Sequence, residues 1–319
     1  MVDLSSSDAL GSALARIRFH GSVFNWGEFR APWGVSRGPL PHASCVVILE
    51  GQAHLVLGGR HRTQRTLRAG DVILVRAGIP LALSDSPSSP IVPIERFVLP
   101  QGPRRGGRVL RLVCASLELD AVGQDLLGSA LPAIVQISSL DTGPTLRALV
   151  GALTTEVTHP SAGTGVMVTR LSELLFLQCL RHCIERGTVT AGWLEGLRHP
   201  ALAKVLVRIH VDPGREWTVE SLARVAGMSR SAFASTFRET LGETPLAYVT
   251  AWRMRHAARL LEDGTESLKA VAAAVGYGSD EAFSRAFREW SGRPPGRFRS
   301  EAARTSPERP PLNPHHPAR

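Results

Sequence analysis

A gapless internal repeat constrains this 319-residue chain more than any other feature. Shifted by 50 residues, SRSAFASTFRETLGETPLAY from Ser229 aligns with SDEAFSRAFREWSGRPPGRF from Ser279. The coincident pairs are Ser229 and Ser279, Ala232 and Ala282, Phe233 and Phe283, Phe237 and Phe287, Arg238 and Arg288, Glu239 and Glu289, Gly242 and Gly292, and Pro245 and Pro295. Each copy follows a short amphipathic stretch, SLARVAGM or SLKAVAAAVGYG. The pattern predicts a helix, a tight turn through Gly227 or through Gly276 to Gly278, and a second helix N-capped by Ser229 or Ser279. Phe233 with Phe237, and Phe283 with Phe287, stand four apart and bury one stripe. At about 100° per residue, Ser231, Ser235 and Arg238 then face away from Phe233, and Glu281, Arg285 and Arg288 face away from Phe283. Outward positions of this kind are what a major groove meets.

Between the copies, PLAYVTAWRMRHAARLLEDG from Pro245 reads as one helix, with Pro near its first position and Gly264 as its stop. Roughly 17 helical residues span about 25 Å. A strut of that length holds two recognition helices near the roughly 34 Å spacing of successive major grooves, especially on bent DNA. A plain helical bundle would account for one such hairpin. Two in gapless register, joined by a strut, point to a tandem DNA reader.

The stretches LARVAGMSRSAFASTFRETLGETPLAYVTAWRMRHAARLL and VAAAVGYGSDEAFSRAFREWSGRPPGRFR make residues 203–301 resemble the DNA-binding domain of the AraC/XylS regulators. The resemblance implies base-facing roles for Arg230, Ser231, Ala234 and Ser235 in the first unit. In the second unit it implies the same for Asp280, Glu281, Ser284 and Arg285. Arg238 and Arg288, one turn further along, suit phosphate contacts, which fix register without reading sequence. Ser231, Ala234 and Ser235 are short where many family members carry long side chains. Arg285, which can form a bidentate contact to guanine, is therefore expected to discriminate more than any residue of the first unit.

The front of the chain has a different texture. From Cys45 to Ser84 short apolar runs, CVVILEG, AHLVLGG, RTLRAGDVILV and IPLALSD, alternate with Gly-rich turns, which predicts an antiparallel sandwich or small barrel. Loops flanking a strand from Ile94 to Leu99 are expected over 86–107, and RVLRLVCASLEL makes a further strand. After Asp120 the period becomes helical. Leu171, Leu174, Leu175, Gln178 and Cys179 are expected to form one broad apolar face, and Leu202, Val205, Leu206 and Ile209 line a later helix stopped by Asp212-Pro213-Gly214.

The strand-rich segment resembles the cupin-type domain that precedes this DNA-binding module in many family members. GDVILVRAGIPL from Gly70 follows the second cupin motif, with Arg76 where the motif has Pro and Leu81 where it has a metal-binding His. That departure argues against a metal. His42, His54 and His61 have no partner cluster at ligand spacing, so neither metal nor cofactor is expected. No nucleophile elbow, phosphate loop or HExxH pair marks an enzyme. Cys179 and Cys183, one turn apart beside His182, read as core packing. Cys45 and Cys114 lie in predicted strands, where oxidation requires exposure and a lowered pKa. Some regulators with such a front end respond to oxidants, which keeps Cys45 and Cys114 as redox candidates. Trp26, Phe29 and Trp33 line either a ligand cavity or the core.

The whole reads as an α+β chain. Residues 1–119 form a cupin-like β-barrel or sandwich that senses a signal, and 120–202 a helical connector that supports dimerisation. Residues 203–301 form an all-α tandem helix-turn-helix domain, and 302–319 a disordered, proline-rich tail. A net charge of +9 is compatible with nucleic acid, yet residues 203–301 hold 15 basic against 12 acidic groups, so charge alone does not single them out. Nothing approaches the roughly 18 apolar residues of a membrane span, and four scattered cysteines suit a reducing compartment. A cytoplasmic homodimer is expected, with double-stranded DNA, RNA polymerase and a small-molecule or oxidant signal as partners and no membrane. The competing class is a cupin enzyme or small-molecule binding protein with a helical interaction tail.

Overall fold

The computed structural model describes residues 10–11, 19–58, 63–96, 107–119, 121–128, 130–141, 143–189 and 192–305. Its contacts divide between Arg198 and His199 into two compact units.

The N-terminal unit is a sandwich of two five-stranded sheets. Its strands are β1 (Phe19–Arg30), β2 (Gly34–Arg37), β3 (Ala43–Glu50), β4 (Gln52–Leu57), β5 (Thr63–Arg68), β6 (Val72–Val75), β7 (Leu81–Ser84), β8 (Val92–Pro93), β9 (Val109–Leu119) and β10 (Ile134–Ile137). One sheet runs β1-β9-β3-β6-β10 and the other β5-β4-β7-β2-β8, antiparallel except where β8 pairs with β2. Phe29, Trp33, Val46, Ile48, Leu55, Leu57, Leu67 and Ile73 meet in the core between them.

Six consecutive residues of β3, Ala43 to Ile48, are buried. Alternate side chains of a strand point to opposite faces, so such a run needs cover on both sides. Val46 and Ile48 face the core, and helices α2 (Pro144–Thr158) and α3 (Thr164–Arg186) pack on β3 from outside. The turn before β6 is held by buried Asp71, whose carboxylate accepts from the Ser139 amide at 2.8 Å, the Arg68 amide at 3.0 Å and the Gln136 amide group at 3.2 Å.

Several expectations need correction. Ile94–Arg96 is a 3-10 turn, and residues 97–99 lie outside the described residues. Residues 120–202 are not purely helical, because β10 completes an edge of the first sheet by pairing with β6. The apolar face of α3 passes through Leu171, Leu175, Phe176, Cys179 and Leu180, whereas Leu174 is 46% exposed. Two shorter helices, α1 (Ala121–Gly128) and α4 (Trp193–Gly196), are tied by a 2.8 Å bond from the Trp193 indole to the Leu126 carbonyl.

The C-terminal unit is all helical: α5 (Pro200–Val211), α6 (Val219–Ala226), α7 (Arg230–Leu241), α8 (Pro245–Asp263), α9 (Leu268–Ala274), α10 (Asp280–Ser291) and α11 (Pro295–Thr305). Leu202, Val205, Leu206 and Ile209 of α5 are fully buried, as their spacing requires. Helix α11 continues past 301, so residues 302–305 are helical rather than tail. The remaining tail residues, 306–319, lie outside the described residues.

Candidate nucleic-acid interface

Each helix-turn-helix unit is built from a short helix, a glycine turn and a capped second helix. Gly227 closes α6 with φ 68°, and Ser229 caps α7 by accepting from the Ala232 amide at 3.3 Å. In the second unit Gly276 takes φ 79° after α9, and Ser279 caps α10 by accepting from Ala282 at 3.2 Å. Replacing Ser279 by Ala orphans a first-turn amide and is expected to cost about 1 kcal/mol. Faster hydrogen exchange at the start of α10, with the N-terminal unit unchanged, is the check.

The phenylalanine stripes point inward as their spacing demands. Phe233, Phe237, Phe283 and Phe287 are fully buried, with ring centroids 5.5 Å apart in the first pair and 5.7 Å in the second. The two cores then differ. Phe237 meets Tyr248 of α8 edge-on at 5.7 Å, and the Tyr248 hydroxyl lies 2.7 Å from His210 Nε2, with His210 stacked 3.6 Å from Trp252. Burial pushes the Tyr248 phenol well up, so it stays neutral. In the second unit Phe287 meets Phe298 of α11 at 5.3 Å and Trp290 at 5.7 Å.

With the stripes buried, the opposite faces are open. Arg230, Ser231, Ser235 and Arg238 of α7 are exposed, as are Asp280, Glu281, Arg285 and Arg288 of α10. Ala234 and Ser284, the third position of each implied set, are half-buried at the flank of the helix. Ser235 donates to Glu239 Oε1 at 2.6 Å, so its hydroxyl is already engaged one turn along. Among the described residues no carboxylate holds Arg285. Asp280 and Glu281 sit in the first turn of α10, where the helix dipole favours them.

Helix α8 is the strut, 19 residues from Pro245 to Asp263, capped by Thr244 and stopped by Gly264 at φ 71°. It spans about 28 Å. A joint invisible in the sequence adds to it. Arg253 of α8 donates to the carbonyls of Pro213 at 2.8 Å and Arg215 at 2.9 Å, and its guanidinium lies 5.9 Å from the Tyr277 ring. Beside it Gly214 and Gly276 meet backbone to backbone, since a Cβ on Gly276 would fall 2.2 Å from the Gly214 carbonyl oxygen. The loop after α5 and the turn of the second unit are thus locked to one strut.

The remaining candidate residues are dispersed. His42 faces Glu118 at 3.7 Å, His54 lies 3.5 Å from the Thr66 hydroxyl, and His61 lies outside the described residues. No three metal-ligating side chains converge among the described residues. Arg76 donates to the Leu131 carbonyl at 2.9 Å. Trp33 is core, its ring tilted 36° to that of Phe29 with centroids 4.8 Å apart, and Phe29 also borders a cavity; the Trp26 side chain lies outside the described residues.

The two redox candidates sit in different surroundings. Cys45 is 1% exposed, and burial pushes the half-buried Cys114 thiol up against the opposing pull of Arg37. Cys45 and Cys114 also leave opposite faces of the first sheet, because Cys114 pairs in register with Val46. The Cys179 thiol is instead raised well above its usual range by its neighbour Cys45 and by burial.

Paired helix-turn-helix units on one strut, encoded behind a cupin-type sandwich, define a class of DNA-binding regulators. Residues 8–185 match the family model described as Cupin, and residues 222–301 the model described as Helix-turn-helix domain. The HTH-type transcriptional regulator AlkR of Acinetobacter baylyi is 30% identical over 308 residues, covering 92% of this chain and all of AlkR. A putative AraC-like transcription regulator of Streptomyces lividans is 40% identical over 179 residues, and the match covers 55% of this chain and 59% of that relative's length. The DNA-binding domain of AdpA, solved in complex with a target DNA, is 34% identical over 32% of this chain and 94% of its own, with a TM-score of 0.31. The chain belongs to the AraC/XylS family of transcription regulators, in the form that carries an N-terminal cupin-type domain. No helix among the described residues is long and apolar enough to cross a membrane.

Proposed function

We propose that the chain is a sequence-specific regulator of transcription, not an enzyme, that reads double-stranded DNA with the exposed faces of α7 and α10. The observation that carries this reading is the repetition of one exposed face, in register, on two capped helices held by a single strut. Asp280, Glu281 and Arg285 read base edges, while Arg230, Ser231 and Ser235 dock the first unit and follow groove shape. Ala234 and Ser284, half-buried, set how closely each helix approaches. Arg238 and Arg288 hold phosphates.

The protein acts as a cytoplasmic homodimer that engages RNA polymerase and responds to a signal held by the cupin-type unit. Residues 1–119 sense, 120–202 add the dimerising helices, and 203–301 read DNA. A small-molecule signal is favoured over an oxidant, because Cys45 is buried and burial raises the Cys114 thiol. A ligand then acts through its differential affinity for two states of the protein.

Gel-shift titration on the DNA upstream of its own gene tests the reading. Binding is expected to prefer that duplex over an unrelated one and to weaken by about 10³-fold between 50 and 200 mM salt if some six phosphates are held. Arg238→Ala and Arg288→Ala each weaken all sequences alike and flatten the salt slope by about 1. Equal affinity for any duplex removes the proposal.

A further inference from the structure

The sandwich is filled at one end and hollow at the other. Ile48, Leu57, Leu67 and Ile73 are at most 1% exposed. Towards β2 and β7 the two sheets part around a cavity of about 550 Å³. Protein interiors are close-packed, so a space of that size is a feature of the fold rather than a packing defect. It falls within the roughly 300–1,000 Å³ usual for small-molecule sites. Its walls are mainly apolar, with Phe29, Val35, Val46, Leu81, Leu83 and Leu112 the main contributors.

Charge enters that apolar space at Arg37. In β2, Val35 pairs with Leu83 and Arg37 with Leu81, and all four line the cavity. The two-residue period of the strand therefore places the guanidinium on the same face as Val35. Its hydrogen bond there goes to Cys114 Sγ at 3.7 Å, and sulfur is a weak acceptor. Most of the guanidinium's five donors are left for another acceptor. The second charged group bordering the cavity, Glu95, is exposed on the 3-10 turn and makes no hydrogen bond or ion pair with Arg37 among the described residues. Arg37 is half-buried against an apolar wall, and a carboxylate supplies such a guanidinium with two parallel acceptors.

We propose that this cavity binds an apolar molecule carrying one anionic group, a carboxylate in the simplest case, with the apolar body against Phe29, Leu83 and Leu112 and the anion on Arg37. The proposal rests on the small-molecule reading of the cupin-type unit and names the ligand's chemical class. Leu81, opposite Arg37 on the ladder, supplies apolar wall. Cys114 gives up its hydrogen bond to the ligand and becomes a reporter of occupancy, since Cys45, Cys179 and Cys183 are buried.

The full-length protein is titrated with decanoate, methyl decanoate and decylamine. The rate of Cys114 alkylation by N-ethylmaleimide, located by peptide mapping, reports binding. Decanoate is expected to protect Cys114 at lower concentration than either neutral ester or amine. Arg37→Gln weakens decanoate by about tenfold or more while leaving the ester unchanged, and Arg37→Lys restores part of the loss. Glu95→Gln, at an exposed position that leaves the core intact, tightens decanoate by removing a like charge. Equal protection by acid and ester, stronger protection by the amine, or protection by none of the three overturns the proposal. Promoter binding by the same preparation separates the two readings: if it persists, only the ligand class falls, and if it is absent the regulatory reading falls with it.

Discussion

Phe287→Ala is expected to abolish specific DNA binding while the cupin-type unit stays folded. Phe287 is fully buried and gathers three rings, Phe283 at 5.7 Å, Trp290 at 5.7 Å and Phe298 at 5.3 Å. It is thus the point where α10 meets α11. Truncation of a buried phenylalanine costs about 3–5 kcal/mol, through lost transfer energy and the cavity left behind. A small helical unit sits at the low end of about 5–15 kcal/mol in all, so a large share of its margin goes. Urea unfolding with gel shift on the same variant gives the answer. An early transition for the C-terminal unit beside an unchanged one for the sandwich is the predicted pattern, and unimpaired operator binding would refute it. Phe287→Leu keeps most of the volume and is expected to retain binding.

Arg285→Ala is expected to relax operator discrimination by about 1–3 kcal/mol, or roughly fivefold to 150-fold, at one base pair. The guanidinium is exposed on α10 and, among the described residues, held by no carboxylate. Ser235→Ala, at the equivalent position of α7, is expected to change discrimination far less. Its hydroxyl is short, and it already donates to Glu239 at 2.6 Å, so a base must compete with a charged acceptor. Affinities for a panel of single-base operator variants decide the matter. Equal losses for the two substitutions would show that the units read alike.

The C-terminal unit was legible because its signals are local. Ser229 and Ser279 cap within three residues, Gly227 and Gly264 stop helices where only glycine is comfortable, and the phenylalanines four apart can bury only one way. The sandwich strands from Cys45 to Ser84 were legible for the same reason. What escaped depends on pairing across long separations. The strand Ile134–Ile137 is short and lies among helices, and it becomes a strand because β6 offers it an edge. Leu174 has the spacing of an inward residue, but α3 is rolled by its packing so that Phe176 and Leu180 face inward instead. Cys45 and Cys179 are 134 positions apart in the chain and meet only because α3 packs on β3. At the interface, the outward positions could be read from helical geometry, whereas the bond between Ser235 and Glu239 depends on rotamers, and the clamp of Arg253 on two carbonyls depends on the tertiary fold.

That clamp bears on how such a protein's binding sites can change over time. With Gly214 against Gly276 and Arg253 spanning both, the two reading heads form a ruler of fixed gauge. One inserted base pair turns the far half of a site by about 35° and moves it about 3.4 Å along the axis. A jointed reader would follow that displacement, but this one has little slack with which to do so. Letters outside the contacted bases are therefore expected to vary among its sites more readily than the spacing between the two contacted grooves.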